Sequence, residues 1–300
     1  MAYTGTGTEQ DPYLVSTLTD LVALMADGVY IKVVSDIDAS QEEAFKEPLT
    51  SGVVFRGNIS ADETKIIANV IVESVSLITF QGSYGMSSST KNIFFKNWIH
   101  RKTANALSIG AQYATIENCC FSIEMIDDSN GAALLGKSTS YGNTGEFTNC
   151  TFSIKFASGT SRILPASVAL MQYVNVKKCT FIFENLLCSN LTIASSYSGV
   201  VNCTFLGNIE FLPSGGLADA RLLAGSTSKV IMGLNVSIAP ETESGNSIRL
   251  YFDSNATYVM LDSSILGDGV SHYFASATCR SLTTGQIQSQ QYLEDIGFLP

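Results

Sequence analysis

The sequence predicts an all-β chain wound as a right-handed, single-stranded parallel β-helix, with short helical caps at both ends. Three observations carry this expectation. A phrase close to Asn-Cys-Thr-Phe recurs as Asn118-Cys119-Cys120-Phe121, Asn149-Cys150-Thr151-Phe152, Lys178-Cys179-Thr180-Phe181 and Asn202-Cys203-Thr204-Phe205. Its cysteines advance by 31, 29 and 24 residues, the repeat length of a solenoid. The apolar residues that follow each Asn alternate with period two, the signature of a strand with one buried face.

The chain opens with Thr17-Leu18-Thr19-Asp20, a plausible helix N-cap, before the apolar run Leu21–Ala26. Tyr30–Val34 reads as the first strand. The repeat proper has inward residues at the Cys position, at +2 (Phe121, Phe152, Phe181, Phe205) and at +4 (Ile123, Ile154, Phe183), with Gly207 breaking the series. Three residues before each Cys stands another apolar residue: Ile116, Phe147, Val176, Val200. That odd offset demands a bend between the two sets. The Asn at −1 suits it, because Asn tolerates the left-handed backbone conformation. Each unit therefore reads strand, Asn corner, strand, variable loop. Asn97-Trp98-Ile99, with Phe95 before it, reads as a looser first copy. Insertions are expected at 124–145 and 155–173. Weaker rungs are expected at Val75–Phe80, Val230–Met232, Ser247–Phe252 and Val259–Leu261, giving roughly eight or nine coils about 4.8 Å apart. Leu282-Thr283-Thr284 then leads into a helix over Gln286–Asp295 that stops at Gly297. The resulting map is a cap over 1–28, coils over 29–280 and a cap over 281–300.

Composition narrows the function. Charged residues make up 15% of the chain against about 25% in ordinary soluble domains, and the net charge is −10. Lys and Arg are scattered, so a nucleic-acid partner is not expected. No stretch approaches a membrane span, and Met1-Ala2-Tyr3-Thr4-Gly5 does not read as a signal peptide. Seven cysteines, four of them on one inward ladder, read as reduced thiols acting as small hydrophobes. Adjacent Cys119 and Cys120 point to opposite faces and form no metal pair.

The motifs with possible chemistry are few. Gly131-Ala132-Ala133-Leu134-Leu135-Gly136-Lys137-Ser138 matches a phosphate-loop pattern, but Thr139–Gly145 is a poor helix, so an inward strand explains it better. Glycoside cleavage needs two carboxyls about 5–10 Å apart. Glu117 and Glu146 do not share a register. Asp127-Asp128 reads as a turn, Asp36 and Asp38 lie near the first cap, and Asp253, Asp262 and Asp268 could cluster late in the chain, with Arg249 near Asp253. His100 and His272 are far apart, and no metal-ligand or nucleophile spacing occurs. No catalytic, cofactor-binding or metal-binding residue is therefore assigned, and no cofactor is expected. Six glycosylation sequons, at Asn58, Asn149, Asn190, Asn202, Asn235 and Asn255, are expected to be unused.

The opening Gly5-Thr6-Gly7-Thr8-Glu9-Gln10-Asp11-Pro12-Tyr13-Leu14-Val15-Ser16-Thr17 with Asp20-Leu21, the Asn-Cys-Thr-Phe coils, and the close Leu282-Thr283-Thr284…Tyr292-Leu293…Ile296-Gly297-Phe298 together resemble right-handed, pectate-lyase-like β-helix proteins of bacterial surfaces and phage fibres or spikes. The resemblance implies architecture rather than chemistry, since β-helices host lyases, hydrolases, adhesins and inert fibres. Joined to the reduced thiols, it leads to the expectation of a bacteriophage virion protein: a tail or capsid fibre, spike or decoration, folded in the host cytoplasm. Expected partners are other virion proteins, two further copies in a homotrimer, and a host surface glycan met by polar faces such as Ser195-Ser196-Tyr197-Ser198. A bacterial adhesin and a polysaccharide depolymerase are the alternatives.

Overall fold

Parallel pairing between residues 18 to 36 apart in sequence organises the described residues, and the result is a parallel β-helix. The computed structural model describes residues 3–24, 26, 29–37, 53–68, 71–74, 78–81, 88–102, 109–125, 135–136, 145–156, 169–188, 191–194, 198–212, 217–223, 226–240 and 245–300.

Each central coil carries three strands. A short strand (Ala114–Glu117, Glu146–Thr148, Asn175–Lys177, Gly199–Val201) runs to the Asn corner, and a longer one (Cys120–Met125, Thr151–Phe156, Thr180–Cys188, Thr204–Phe211) leaves it. The third strand lies within the segment read as a loop, where only the inward strand at Leu135 is expected from sequence: Ile109–Gln112, Leu135–Gly136, Ala169–Gln172 and Thr192–Ala194 stack as a separate sheet. Two of the expected weaker rungs belong to that sheet. Ile78–Gln81 pairs with Val53–Arg56 and Ile109–Gln112, and Ser247–Phe252 pairs with Leu217–Leu223 and Val270–Phe274. Residues 75–77 lie outside the described residues. The other two fall on the repeat's own register, with Ile231 opposite Thr204 and Met260 opposite Ile231.

The corner residues all adopt the left-handed conformation that Asn tolerates. Asn118, Asn149, Lys178 and Asn202 have φ of 55°, 53°, 54° and 54°. Lys229 and Tyr258 continue the series at 54° and 53°, although neither residue type favours that region. The first copy was placed out of register. Phe95 pairs with Phe121, and Asn92, with φ of 59°, is the corner. The true copy is Asn92-Ile93-Phe94-Phe95. Asn97-Trp98 merely imitates it five residues on.

Inside the coil two columns form. Phe95, Phe121, Phe152, Phe181 and Phe205 stack with centroid separations of 4.7, 4.9, 4.8 and 5.0 Å and interplanar angles of 10° or less. Met232 and Leu261 extend the column toward the C-terminus. The second column is sulfur. Each thiol donates to a backbone carbonyl one coil earlier: Cys119 to Thr90 (3.7 Å), Cys150 to Ile116 (3.4 Å), Cys179 to Phe147 (3.4 Å), Cys203 to Val176 (3.5 Å) and Cys279 to Ala256 (3.3 Å). Cys suits the position because it is small, apolar and a weak donor toward carbonyls at the bend. Ile93, Val230 and Val259 stand at the same register, so volume comes first and the S–H contact second.

The caps differ in detail from expectation. The first helix spans Leu18–Leu24, three residues earlier than read, because Thr17 caps it: Asp20 N–H donates to Thr17 Oγ1 at 3.1 Å, and Thr17 Oγ1 donates to Asp20 Oδ2 at 3.0 Å. Tyr13–Val15 precedes this helix and pairs with Tyr30–Val33, so the leading segment adds a strand to the sheet. The single C-terminal helix is two, Thr284–Ile287 and Gln290–Asp295, because Thr283 and Ser289 each cap a new start. Met260, Leu282, Leu293 and Phe298 pack as a small separate core beneath them.

Asp262 fastens this cap. Its side chain is 3% exposed and accepts from Ser264 N–H (3.1 Å), Ser264 Oγ (2.5 Å) and Thr284 Oγ1 (2.6 Å). Asp262→Ala leaves these donors without their acceptor, at about 1–3 kcal/mol. Hydrogen exchange across 283–299 is expected to accelerate in this variant while exchange around Phe152 stays unchanged. Equal acceleration in both regions would contradict a local clasp.

Candidate functional site

The described carboxylates singled out from sequence are not brought together; Glu117, Glu146, Asp253, Asp262 and Asp268 each have a structural partner or sit in a turn. Glu117 pairs with Lys91 at 2.9 Å, and Glu146 with Lys177 at 2.5 Å while also accepting from Thr148 Oγ1 at 2.8 Å. In register Glu146 lies opposite Thr115, and Glu117 opposite Thr148, as the offset reading required. Asp253 accepts from the N–H and hydroxyl of Ser254 in a turn, and Asp268 lies in an exposed turn. Asp262 is the clasp described above. The Arg249 guanidinium lies over the Tyr273 ring, 5.9 Å from its centre. Asp36 is exposed just after the strand Tyr30–Val33; Asp38 and Asp127-Asp128 lie outside the described residues.

The phosphate-loop match is partly described. Leu135 is buried, and Leu135–Gly136 pairs with Ile109 and Met171 in the third sheet. A strand therefore stands where the motif needs the approach to a helix N-terminus. The rest of the match lies outside the described residues. His272 is half-buried in the strand Val270–Phe274, and burial pushes its pKa below the ordinary histidine value. For His100 the strand is described and the side chain is not. Among the described residues no group of three or more His, Cys, Asp or Glu could hold a metal ion, and no helix is long and apolar enough to cross a membrane. Two sequon asparagines have structural duties. Asn58 Oδ1 accepts from Ser89 N–H (2.9 Å) and Ser89 Oγ (3.1 Å), and Asn149 Nδ2 donates to Asn118 Oδ1 (2.6 Å). Asn190 lies outside the described residues.

All seven thiols are free. Hydrogen bonding to Cys119 and Cys179, then burial, holds the Cys150 thiol far above its usual range. Hydrogen bonding to Cys179, then burial, does the same for Cys203, and burial alone lifts Cys188. Cys179, between two thiols able to donate to it, is pulled the other way. Its sulfur also faces the carbonyl oxygens of Phe147 and Lys177 at 3.4 and 3.3 Å, which would repel a thiolate. We therefore take the column as protonated, a structural element rather than a nucleophile. Native protein at pH 8 is expected to give one fast-reacting thiol with Ellman's reagent, the half-exposed Cys120, and all seven after denaturation. Rapid labelling of four or more in native protein would contradict the buried ladder.

Among the described residues a hollow of ligand size lies on the outer surface of the first coils, and no sequence motif points to it. It encloses about 430 Å³ and is built from two outward columns. Tyr30 lies opposite Asn58, which holds Ser89 on the next rung. Lys32 lies opposite Ser60, and Ser60 opposite Lys91. The leading segment forms one wall through Glu9 and Pro12, fixed by Tyr30 N–H donating to Gly7 O at 3.0 Å. Lys32 is ion-paired with Asp62, and Lys91 with Glu117. All four side chains are about a third to under a half exposed, so these pairs are weak and screened. The site could have been sought by aligning outward residues once Ile31, Ile59 and Thr90 were placed in register; the uneven coil lengths hid it.

No family model matches the chain, and no curated protein matches it. A solved structure named "putative immunoglobulin A1 protease" from Bacteroides ovatus aligns over 93% of this chain and 86% of its own length, at 16% identity and a TM-score of 0.38. At that identity and score it bears on no residue's role.

Proposed function

We propose that this chain is a non-enzymatic structural protein of a bacteriophage particle: a β-helical fibre, spike or decoration that contacts the host surface or neighbouring virion proteins, and that assembles as a homotrimer. The observation that carries the reading is the column of unpaired, buried thiols along the coil axis. Such a column suits folding in a reducing cytoplasm, whereas a cysteine-rich chain matured in an oxidising compartment ordinarily forms disulfides. Virion proteins fold inside the host cell and reach the exterior on lysis. The outer faces support a contact role over a chemical one, since Glu117, Glu146, Asp253, Asp262 and Asp268 serve ion pairs, turns and a cap clasp. Long, low-charge polar faces suit weak contacts multiplied by several copies.

The test is protein analysis of purified particles from the phage encoding this chain. Its peptides are expected to co-purify with infectious particles through a density gradient, with light scattering of the isolated protein giving a trimer. Absence from the particles would overturn the assignment. Release of new reducing ends or unsaturated sugars from host capsule would overturn the non-enzymatic part.

A further inference from the structure

The strand Val270–Phe274 ends the third sheet and pairs on one side only, with Ser247–Phe252. Ile248 N–H donates to Gly269 O at 3.0 Å, and Ala275 N–H donates to Phe252 O at 3.1 Å. A parallel ladder with that phase turns the backbone groups of 269, 271, 273 and 275 toward Ser247–Phe252, and those of Val270, His272 and Phe274 away from it. Val270 N–H is taken by Gly267 O at 3.2 Å. Val270 O, His272 N–H, His272 O, Phe274 N–H and Phe274 O have no hydrogen-bond partner among the described residues. The side chains are uncovered too. Val270, His272 and Phe274 stand in register with Ile248, Leu250 and Phe252, which are fully buried, yet are themselves only half-buried. The C-terminal helices close the other sheet instead, over Leu282. At the far end of the rod Thr4 bridges Leu14 across the first strand. Val270–Phe274 carries no charge and no proline, the usual devices that keep sheet edges apart.

From this we infer that Val270–Phe274 is a docking edge for the same strand of a second copy, laid antiparallel about a two-fold axis through His272, so that two rods join end to end. The free groups match themselves on that axis. Each His272 N–H donates to His272 O of the other copy, and each Phe274 N–H to Val270 O of the other copy. The free acceptor and the free donor lie two residues either side of His272, so one alignment satisfies both. The same alignment sets Val270 beside Phe274 on the inner face and Ser271 beside Tyr273 on the outer face. In a chain of net charge −10 it brings two uncharged strands together, with no like charges opposed across the join. The axis is normal to the sheet and crosses the rod, so it is compatible with a three-fold axis along the rod. Two trimers would meet tip to tip and close the assembly. The inference goes beyond the trimer reading and does not depend on it.

The test is light scattering of the whole chain over a concentration series up to about 1 mM. The mass is expected to double as concentration rises, from trimer to hexamer. Doubling from a monomer would remove the trimer and keep the present proposal; a trimer that never doubles would do the reverse. His272→Pro deletes the donor on the axis, and because that N–H faces away from Ser247–Phe252 the coil keeps its own pairing. It is expected to raise the concentration needed for doubling at least tenfold. His272→Lys and His272→Glu each place like charges directly opposite across the axis, with Cα atoms about 5.5 Å apart. Each variant alone is expected to stay at the undoubled mass, and an equal mixture of the two is expected to double. Circular dichroism and thermal melts check that every variant is folded. A wild-type mass that never doubles, growth beyond a doubling, wild-type behaviour of His272→Pro, or a mixture of folded Lys and Glu variants that stays undoubled would each overturn the proposal.

Discussion

Phe152→Ala is expected to destabilise the protein by about 3–5 kcal/mol, the largest single effect we foresee. Phe152 sits at the centre of the five-ring column, fully buried, stacked on Phe121 at 4.9 Å and on Phe181 at 4.8 Å, with Phe147 edge-on at 5.5 Å. Removing the ring opens a cavity bounded by other rings on rigid, hydrogen-bonded strands. Those walls cannot collapse inward without breaking register, so the cavity penalty adds fully to the lost transfer energy. Each lost ring pair adds about 0.5–1.5 kcal/mol beyond area burial. The same change at the column's end, Phe205→Ala, removes one stacked pair rather than two and should destabilise less. Urea unfolding followed by far-UV circular dichroism reads both through the midpoint shift.

Gly207→Ala is expected to destabilise by about 3 kcal/mol, although it adds only one methyl group. Gly207 has φ of +102°, and a Cβ there would stand 1.9 Å from the Phe183 carbonyl oxygen and 2.8 Å from its carbonyl carbon and nitrogen. The obstacle is backbone of the preceding coil, which cannot rotate aside as a side chain would. Either the two coils part locally or the bend is lost, and the register shift between Phe183 and Leu186 goes with it. Gly245→Ala is the control. Its φ is +91°, yet nothing lies within 4 Å of its Cβ position, so only the conformational part of the cost remains. A destabilisation at Gly207 no greater than at Gly245 would contradict the close coil-to-coil approach.

Gly207 also shows what the sequence made legible. It was visible as a break in the +4 series, and the structure supplies the reason: a coil bending where no side chain fits. Asn corner, inward Cys and inward Phe were readable because strand alternation is local and recurs every 24 to 31 residues. The third sheet was not, because its strands are brief and variable. Leu135–Gly136 is two residues long, and Ala169–Gln172 carries no β-branched residue. Its buried face is specified by neighbours one coil away rather than by its own sequence. Asn92-Ile93-Phe94-Phe95 was overlooked because it lacks the sulfur that marked the other copies. The groove was illegible for a related reason: Lys32, Ser60 and Lys91 are 28 and 31 residues apart, and nothing distinguishes them until coil lengths are known. Asp262 looked like a possible catalytic acid; only its contact with Thr284, 22 residues on, reveals a clasp.

Pairs of ring deletions give the most direct measurement of coil-to-coil register. Rings stacked one rung apart should be coupled and rings four rungs apart should not. For Phe152→Ala with Phe181→Ala, a double-mutant cycle is predicted to show a coupling of about 0.5–1.5 kcal/mol. Phe95→Ala with Phe205→Ala, at opposite ends of the column, should add within about 0.5 kcal/mol. Additivity in the first pair, or coupling as strong in the second, would show that these rings do not share one column at one-coil spacing.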